Sequence, residues 1–174
     1  MKAFKTSGFT LIEILVVVAL IGALFLGILA TVDPLEQLKK GGDTAKRELT
    51  AQLYNGFIQY YASQNSFPWT ADISAAAGTA NEMTAAGTGY IPLTIAQGEL
   101  KGDFINLAGS NLSKIFLTST ADAQGNRQNL ASCFLPDSKS FRLEANAKYD
   151  ISGEITSSCL STDTGGNPCY WCMK

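Results

Sequence analysis

Glu13 is the residue whose placement raises the sharpest chemical question. It stands near the start of the stretch KTSGFTLIEILVVVALIGALFLGILATV, residues 5–32, and is its only carboxylate. A carboxylate held in hydrocarbon costs roughly 2.5 kcal/mol or more, so this one calls for a cation that neutralises it. A second constellation is Cys169-Tyr-Trp-Cys172, a CxxC with Cys133 and Cys159 upstream. Four cysteines can form a zinc site, a redox dithiol or two disulfides. Zinc sites use two closely spaced pairs, whereas Cys133 and Cys159 are far apart, and a thioredoxin-like motif opens a helix, whereas this one lies in a loop-rich tail. Two structural disulfides in an oxidising compartment are therefore expected. The nested pairing Cys133–Cys172 with Cys159–Cys169 is favoured, and the other pairings stay open.

The rest of the side-chain inventory excludes more than it offers. There is no histidine, which removes His-based triads, His metal ligands and the commonest general base. Asp150, Glu154 and Asp163 are acidic enough to attract calcium, but they lack EF-hand spacing and read as solvated surface. Trp69, Tyr170 and Trp171 are either ligand contacts or core, and core is expected. Asn111-Leu-Ser113 matches a glycosylation tripeptide of a kind that arises by chance. No catalytic constellation, metal or other cofactor is expected. With a formal net charge of −2, a pI near 5.1, and no Lys or Arg between residues 49 and 100, nothing indicates specific nucleic-acid binding.

These residues need elements to position them. Residues 1–8, MKAFKTSG, form a basic leader. Ile14 to Val32 is a run of nineteen uncharged residues with only Thr31 polar; as a helix it spans roughly 28 Å, the thickness of bilayer hydrocarbon. Residues 9–33 are thus expected to cross a membrane, and Asp33-Pro34 to break or kink the helix. Residues 34–64 continue as an amphipathic helix with Leu35, Leu38, Ala45, Leu49, Leu53 and Phe57 or Ile58 in one stripe. Gly41-Gly42 is expected to interrupt that stripe with a bend, and NSFPW, residues 65–69, to end the helix.

Residues 65–174 form the expected globular head. Residues 71–89 read as a loop, and 97–116 as ambiguous with a short helix around Ile105–Leu112. Residues 129–135 and 141–150 read as a hairpin about the turn PDSKS, with a third strand in 152–160. The fold class is α+β: a long N-terminal helix, membrane-spanning in its first half, packed on a small antiparallel sheet.

The stretch SGFTLIEILVVVALIGALFLG, residues 7–27, resembles the leader and N-terminal helix of type IV pilins and of the pseudopilins of type II secretion. The resemblance implies a pilin-like fold and assigns roles. Gly8 would precede the bond cut by the prepilin peptidase/N-methyltransferase at the cytoplasmic face. Phe9 would become the methylated amino terminus. Glu13 would meet the amino terminus of a neighbouring subunit during assembly. The implied partners are other copies of the chain, minor pilins or pseudopilins, an assembly platform in the cytoplasmic membrane, and the lipid bilayer before assembly. The implied location is the cytoplasmic membrane, single-pass with the N-terminus cytoplasmic, and afterwards an external filament or the periplasm and cell surface.

The function so implied is that of a structural subunit of a type IV pilus-like filament for adhesion, motility or DNA uptake, with a type II secretion pseudopilin as the alternative. A non-polymerising, membrane-anchored extracytoplasmic binding domain is the reading from another class, and a cleaved signal peptide is the plainest reading of the apolar run. Two features depart from the common pattern. The first proline is Pro34, whereas many family members carry one earlier, so only Gly22 and Gly27 loosen the membrane helix. Lys39, Lys40, Lys46 and Arg47 outnumber the leader's Lys2 and Lys5, the reverse of positive-inside counting.

Overall fold

The computed structural model describes residues 8–31, 33–69, 89–121, 127–156 and 169–174. The chain divides into two units, Met1–Gln37 and Leu38–Lys174.

In the first unit, α1 (Leu11–Thr31) carries Glu13 as its one charged residue. Its large apolar side chains from Leu11 to Ile28 are exposed on every side. A helix apolar all round is built for an apolar environment and not for one core-facing stripe. The next helix, α2 (Pro34–Gln64), begins in this unit. Asp33 caps it, its Oδ1 accepting from the Leu35 N–H at 3.1 Å and the Glu36 N–H at 3.2 Å. Pro34 takes the first helical position, where a missing N–H costs nothing. The break expected at Asp33-Pro34 is thus the start of a new helix.

In the second unit, α2 runs without interruption through Gly41 and Gly42 to Gln64, so the expected bend is absent. It stops where Asn65 takes a positive φ of 54°, a conformation that asparagine tolerates at helix ends. The chain then turns inward. Phe67 stacks on Trp69 with ring centroids 4.8 Å apart, Trp69 meets the Phe57 ring edge-on at 5.0 Å, and its Nε1 donates to Ser119 Oγ at 3.0 Å.

The sheet has four antiparallel strands in the order β1-β2-β4-β3: β1 (Ile115–Ala121), β2 (Arg127–Phe134), β3 (Ala147–Tyr149) and β4 (Tyr170–Met173). Alternation sends Ile115, Leu117 and Leu130 into one core with Leu53 and Phe57 of α2. Phe134 and Trp171 join Phe141 in a second cluster, and Ala131, Cys133 and Cys172 form a third on the other face. Between α2 and the sheet lie α3 (Tyr90–Ala96), α4 (Phe104–Ala108) and a 3₁₀ turn (Gly109–Lys114) in sequence order, Gly109 changing the helix type at a φ of 50°.

The class is α+β, and several local expectations are corrected. The hairpin of 129–135 with 141–150 does not form: β2 pairs with β1 and β4, and β3 pairs with β4. The reason is local. Ser138 Oγ accepts from the Phe141 N–H and caps α5 (Lys139–Arg142), so PDSKS opens a helix where a turn was read. β1 begins at the end of the ambiguous stretch and runs through residues 117–121, which were assigned no element, and β4 lies in the tail read as loop. Of the expected third strand, Ile155 makes an isolated bridge to Tyr149, and residues 157–160 lie outside the described residues. The helix expected around Ile105–Leu112 splits into α4 and the 3₁₀ turn. The loop expected over 71–89 lies, apart from Gly89, outside the described residues.

Candidate functional site

Gly8 and Phe9 precede α1 in non-helical backbone. Phe9 is 76% exposed, and a Cβ added at Gly8 would meet no described atom within 4 Å. Thr10 caps the helix: its Oγ accepts from the Glu13 N–H at 3.3 Å, and its own N–H donates to Glu13 Oε2 at 3.4 Å. This reciprocal pair is a capping box, Thr-x-x-Glu. It satisfies two donors that the first turn leaves unpaired and places the carboxylate at the positive end of the helix dipole. Glu13 therefore has a role within its own chain as well as the expected one between chains. Thr10 was missed from sequence although FTLIE displays the spacing.

The buried charges of the second unit were also missed. The inward positions of α2 include Asp43, Lys46, Thr50, Leu53 and Phe57, a three-four repeat that shares Leu53 and Phe57 with the expected stripe and departs from it before them, where Leu35, Leu38 and Ala45 are exposed. Asp43 is fully buried and accepts from the Asp137 N–H at 3.0 Å, the Ser138 N–H at 2.7 Å and the Ser138 hydroxyl at 2.7 Å. Lys46 Nζ lies 2.7 Å from Asp43 Oδ1 and 2.8 Å from Asp137 Oδ2, donates to the Leu135 carbonyl at 3.1 Å, and stands over the Phe134 ring. Burial pushes the Asp43 carboxyl up, but hydrogen bonds from the Asp137 amide, Lys46 and Ser138 outweigh it and hold the group below its ordinary value. The cluster ties α2 to the segment leaving β2. It is buried and structural.

A disulfide joins Cys133 to Cys172, which face each other across β2 and β4 with an S–S distance of 2.06 Å. Cys172 is thus bonded to the neighbouring strand, and the CxxC is not a self-contained redox pair. Cys169 is also disulfide-bonded; Cys159 lies outside the described residues. Trp69 and Trp171 are core at 3% and 4% exposure, and Trp171 Nε1 donates to Glu144 Oε2 at 2.8 Å. Burial raises the hydroxyl pKa of half-buried Tyr170.

Asp150 and Glu154 close a loop onto which Lys174 folds, its Nζ 3.4 Å from Glu154 Oε1. Asp150 Oδ1 accepts from the Ser152 N–H at 2.9 Å and the Glu154 N–H at 3.1 Å, while Lys174 Nζ reaches the Gly153 carbonyl at 2.9 Å. The Ser152 hydroxyl above all, with the two amides and the Lys174 charge, holds the Asp150 carboxyl below its usual value against a small burial effect. Asp163 lies outside the described residues. Among the described residues no group of three His, Cys, Asp or Glu side chains is placed to bind a metal.

The chemistry-bearing residues outside the head thus gather at one end of one exposed apolar helix. α1 is long and apolar enough over Leu11–Ile28 to cross a membrane. No curated protein and no solved structure matches the chain. The model of the prokaryotic N-terminal methylation motif matches residues 4–29, the span that holds Gly8, Phe9, Thr10 and Glu13. The chain therefore carries the type IV pilin and pseudopilin signature, that of a pilin- or pseudopilin-like substrate of the prepilin peptidase.

Proposed function

We propose that the chain is the precursor of a structural subunit of a type IV pilus-like filament, cut between Gly8 and Phe9, methylated at Phe9 and polymerised through α1. The observation that carries this reading is the methylation motif over residues 4–29 set on a helix whose large apolar side chains from Leu11 to Ile28 are exposed. Cleavage removes Lys2 and Lys5 and leaves an amine at Phe9, which methylation keeps basic. That amine supplies the cation that Glu13 calls for. In the free subunit one carboxylate oxygen of Glu13 engages the Thr10 amide. In a polymer the carboxylate exchanges that bond for an ion pair with the Phe9 amine of a neighbour. Because an unpaired charge in low dielectric costs several kcal/mol, the pair favours assembled over isolated subunits and fixes their register. Lateral packing of α1 helices replaces lipid contacts, and a separate assembly ATPase supplies the work of extraction. Head-to-tail repetition suits an open helical symmetry.

Intact mass and N-terminal peptide mapping of the native protein, in membrane and sheared-surface fractions, test this reading. A chain starting at N-methyl-Phe9 in the sheared fraction is expected. The same terminus confined to the membrane would transfer the chain to the pseudopilins of type II secretion. An intact Met1, or a cut near Ala30, would refute both.

A further inference from the structure

We draw no further inference here: the strongest candidate, the open polar groove of about 350 Å³ between Glu48, Gln52, Asn55 and Gln59 on α2 and residues 99–101, presents the side chains of any solvated helix face, and nothing in the structure shows what would fill it.

Discussion

Lys46 Nζ stands 2.7 Å from Asp43 Oδ1, with both side chains sealed from solvent at 3% and 0% exposure. They sit one turn apart on α2, and the carboxylate also receives the two backbone N–H groups that precede α5. A buried ion pair gains less from its own attraction than it costs to desolvate, unless further hydrogen bonds complete it. Here the Asp137 and Ser138 amides, the Ser138 hydroxyl and the Leu135 carbonyl complete it. The pair also ties down the segment after β2, because it holds the Asp137 and Ser138 amides on α2 just where Ser138 caps α5.

Asp43→Ala is therefore expected to destabilise the head by about 3–5 kcal/mol, since it leaves the buried Lys46 ammonium with Asp137 as its one carboxylate partner and takes the acceptor from the Asp137 and Ser138 amides. Urea unfolding of the detergent-solubilised full chain, followed through Trp69 and Trp171, measures it. An Asp43→Ala chain as stable as the parent would show that Lys46 escapes to water. The double change Asp43→Leu with Lys46→Met is expected to recover part of the loss, because no charge then stays buried, while the Asp137 and Ser138 amides still lack the acceptor that Asp43 gave them.

The same carboxylate sets an acid limit. Its pKa is held below the ordinary value in the folded chain, so the unfolded chain binds a proton more readily. Its contribution is fully present above the unfolded value, about pH 3.9, and fades as pH falls through the folded value. Stability of the parent should decline below about pH 4 more steeply than that of Asp43→Asn, which is weaker at neutral pH but has no such proton to take up. Parallel curves for the two chains would assign the acid limit to other groups.

These two residues also mark where sequence reading ran out. The long apolar helix, its end at Asp33-Pro34, the exit of α2 at Asn65 and the core positions Leu53 and Phe57 were legible, because each rests on hydropathy period or on proline and turn chemistry that acts locally. The lower stripe of α2 was not, since Asp43 and Lys46 are charged and hydropathy counting assigns charges to water. Only their partners, some ninety residues away in sequence, make them inward. β4 was hidden for a related reason: four residues between Cys169 and Lys174 show no period, and what makes them a strand is pairing with Cys133 and Trp171's place opposite Phe134. At the amino terminus the reverse happened. The spacing of Thr10 and Glu13 was visible, but attention to the charge in hydrocarbon concealed its local role as a cap.

Glu13 caps its own helix, and substitution separates that role from the one proposed for it in assembly. Glu13→Gln keeps an acceptor for the Thr10 amide but removes the charge; Glu13→Leu removes both. Both are expected to abolish filaments while leaving the chain in the membrane, with Glu13→Leu alone also fraying the first turn. Thr10→Ala is expected to fray it by about 1 kcal/mol, read as faster amide exchange at Glu13. Wild-type filament yield from Glu13→Gln would show that charge pairing does not drive assembly.

The Cys133–Cys172 bond joins the two inner strands of the sheet, β2 and β4. β4 spans Tyr170–Met173, and β3 reaches β2 only through it. Replacing both cysteines by alanine is expected to cost about 2–4 kcal/mol. Amide exchange should quicken in β3 and β4 while the β1–β2 pair stays protected by its seven-residue register. Uniform acceleration across all four strands would mean that the sheet opens as one unit.

Three glycines within α2 should respond to alanine with opposite signs, although each gains similarly in helix propensity, about 1 kcal/mol. At Gly41 and Gly42 an added Cβ meets nothing within 4 Å, so both substitutions are expected to stabilise the helix by about that amount. At Gly56 the Cβ would lie 2.7 Å from Leu100 Cγ and 2.8 Å from its Cδ2. Leu100 is only 7% exposed and belongs to the core with Leu53 and Phe57, so it has little room to withdraw. Overpacking of this kind costs about 1–3 kcal/mol, which meets or exceeds the propensity gain. Gly56→Ala should therefore lower the urea midpoint while Gly41→Ala and Gly42→Ala raise it. A rise at Gly56 would mean that the contact between α2 and residue 100 is looser than its buried position implies.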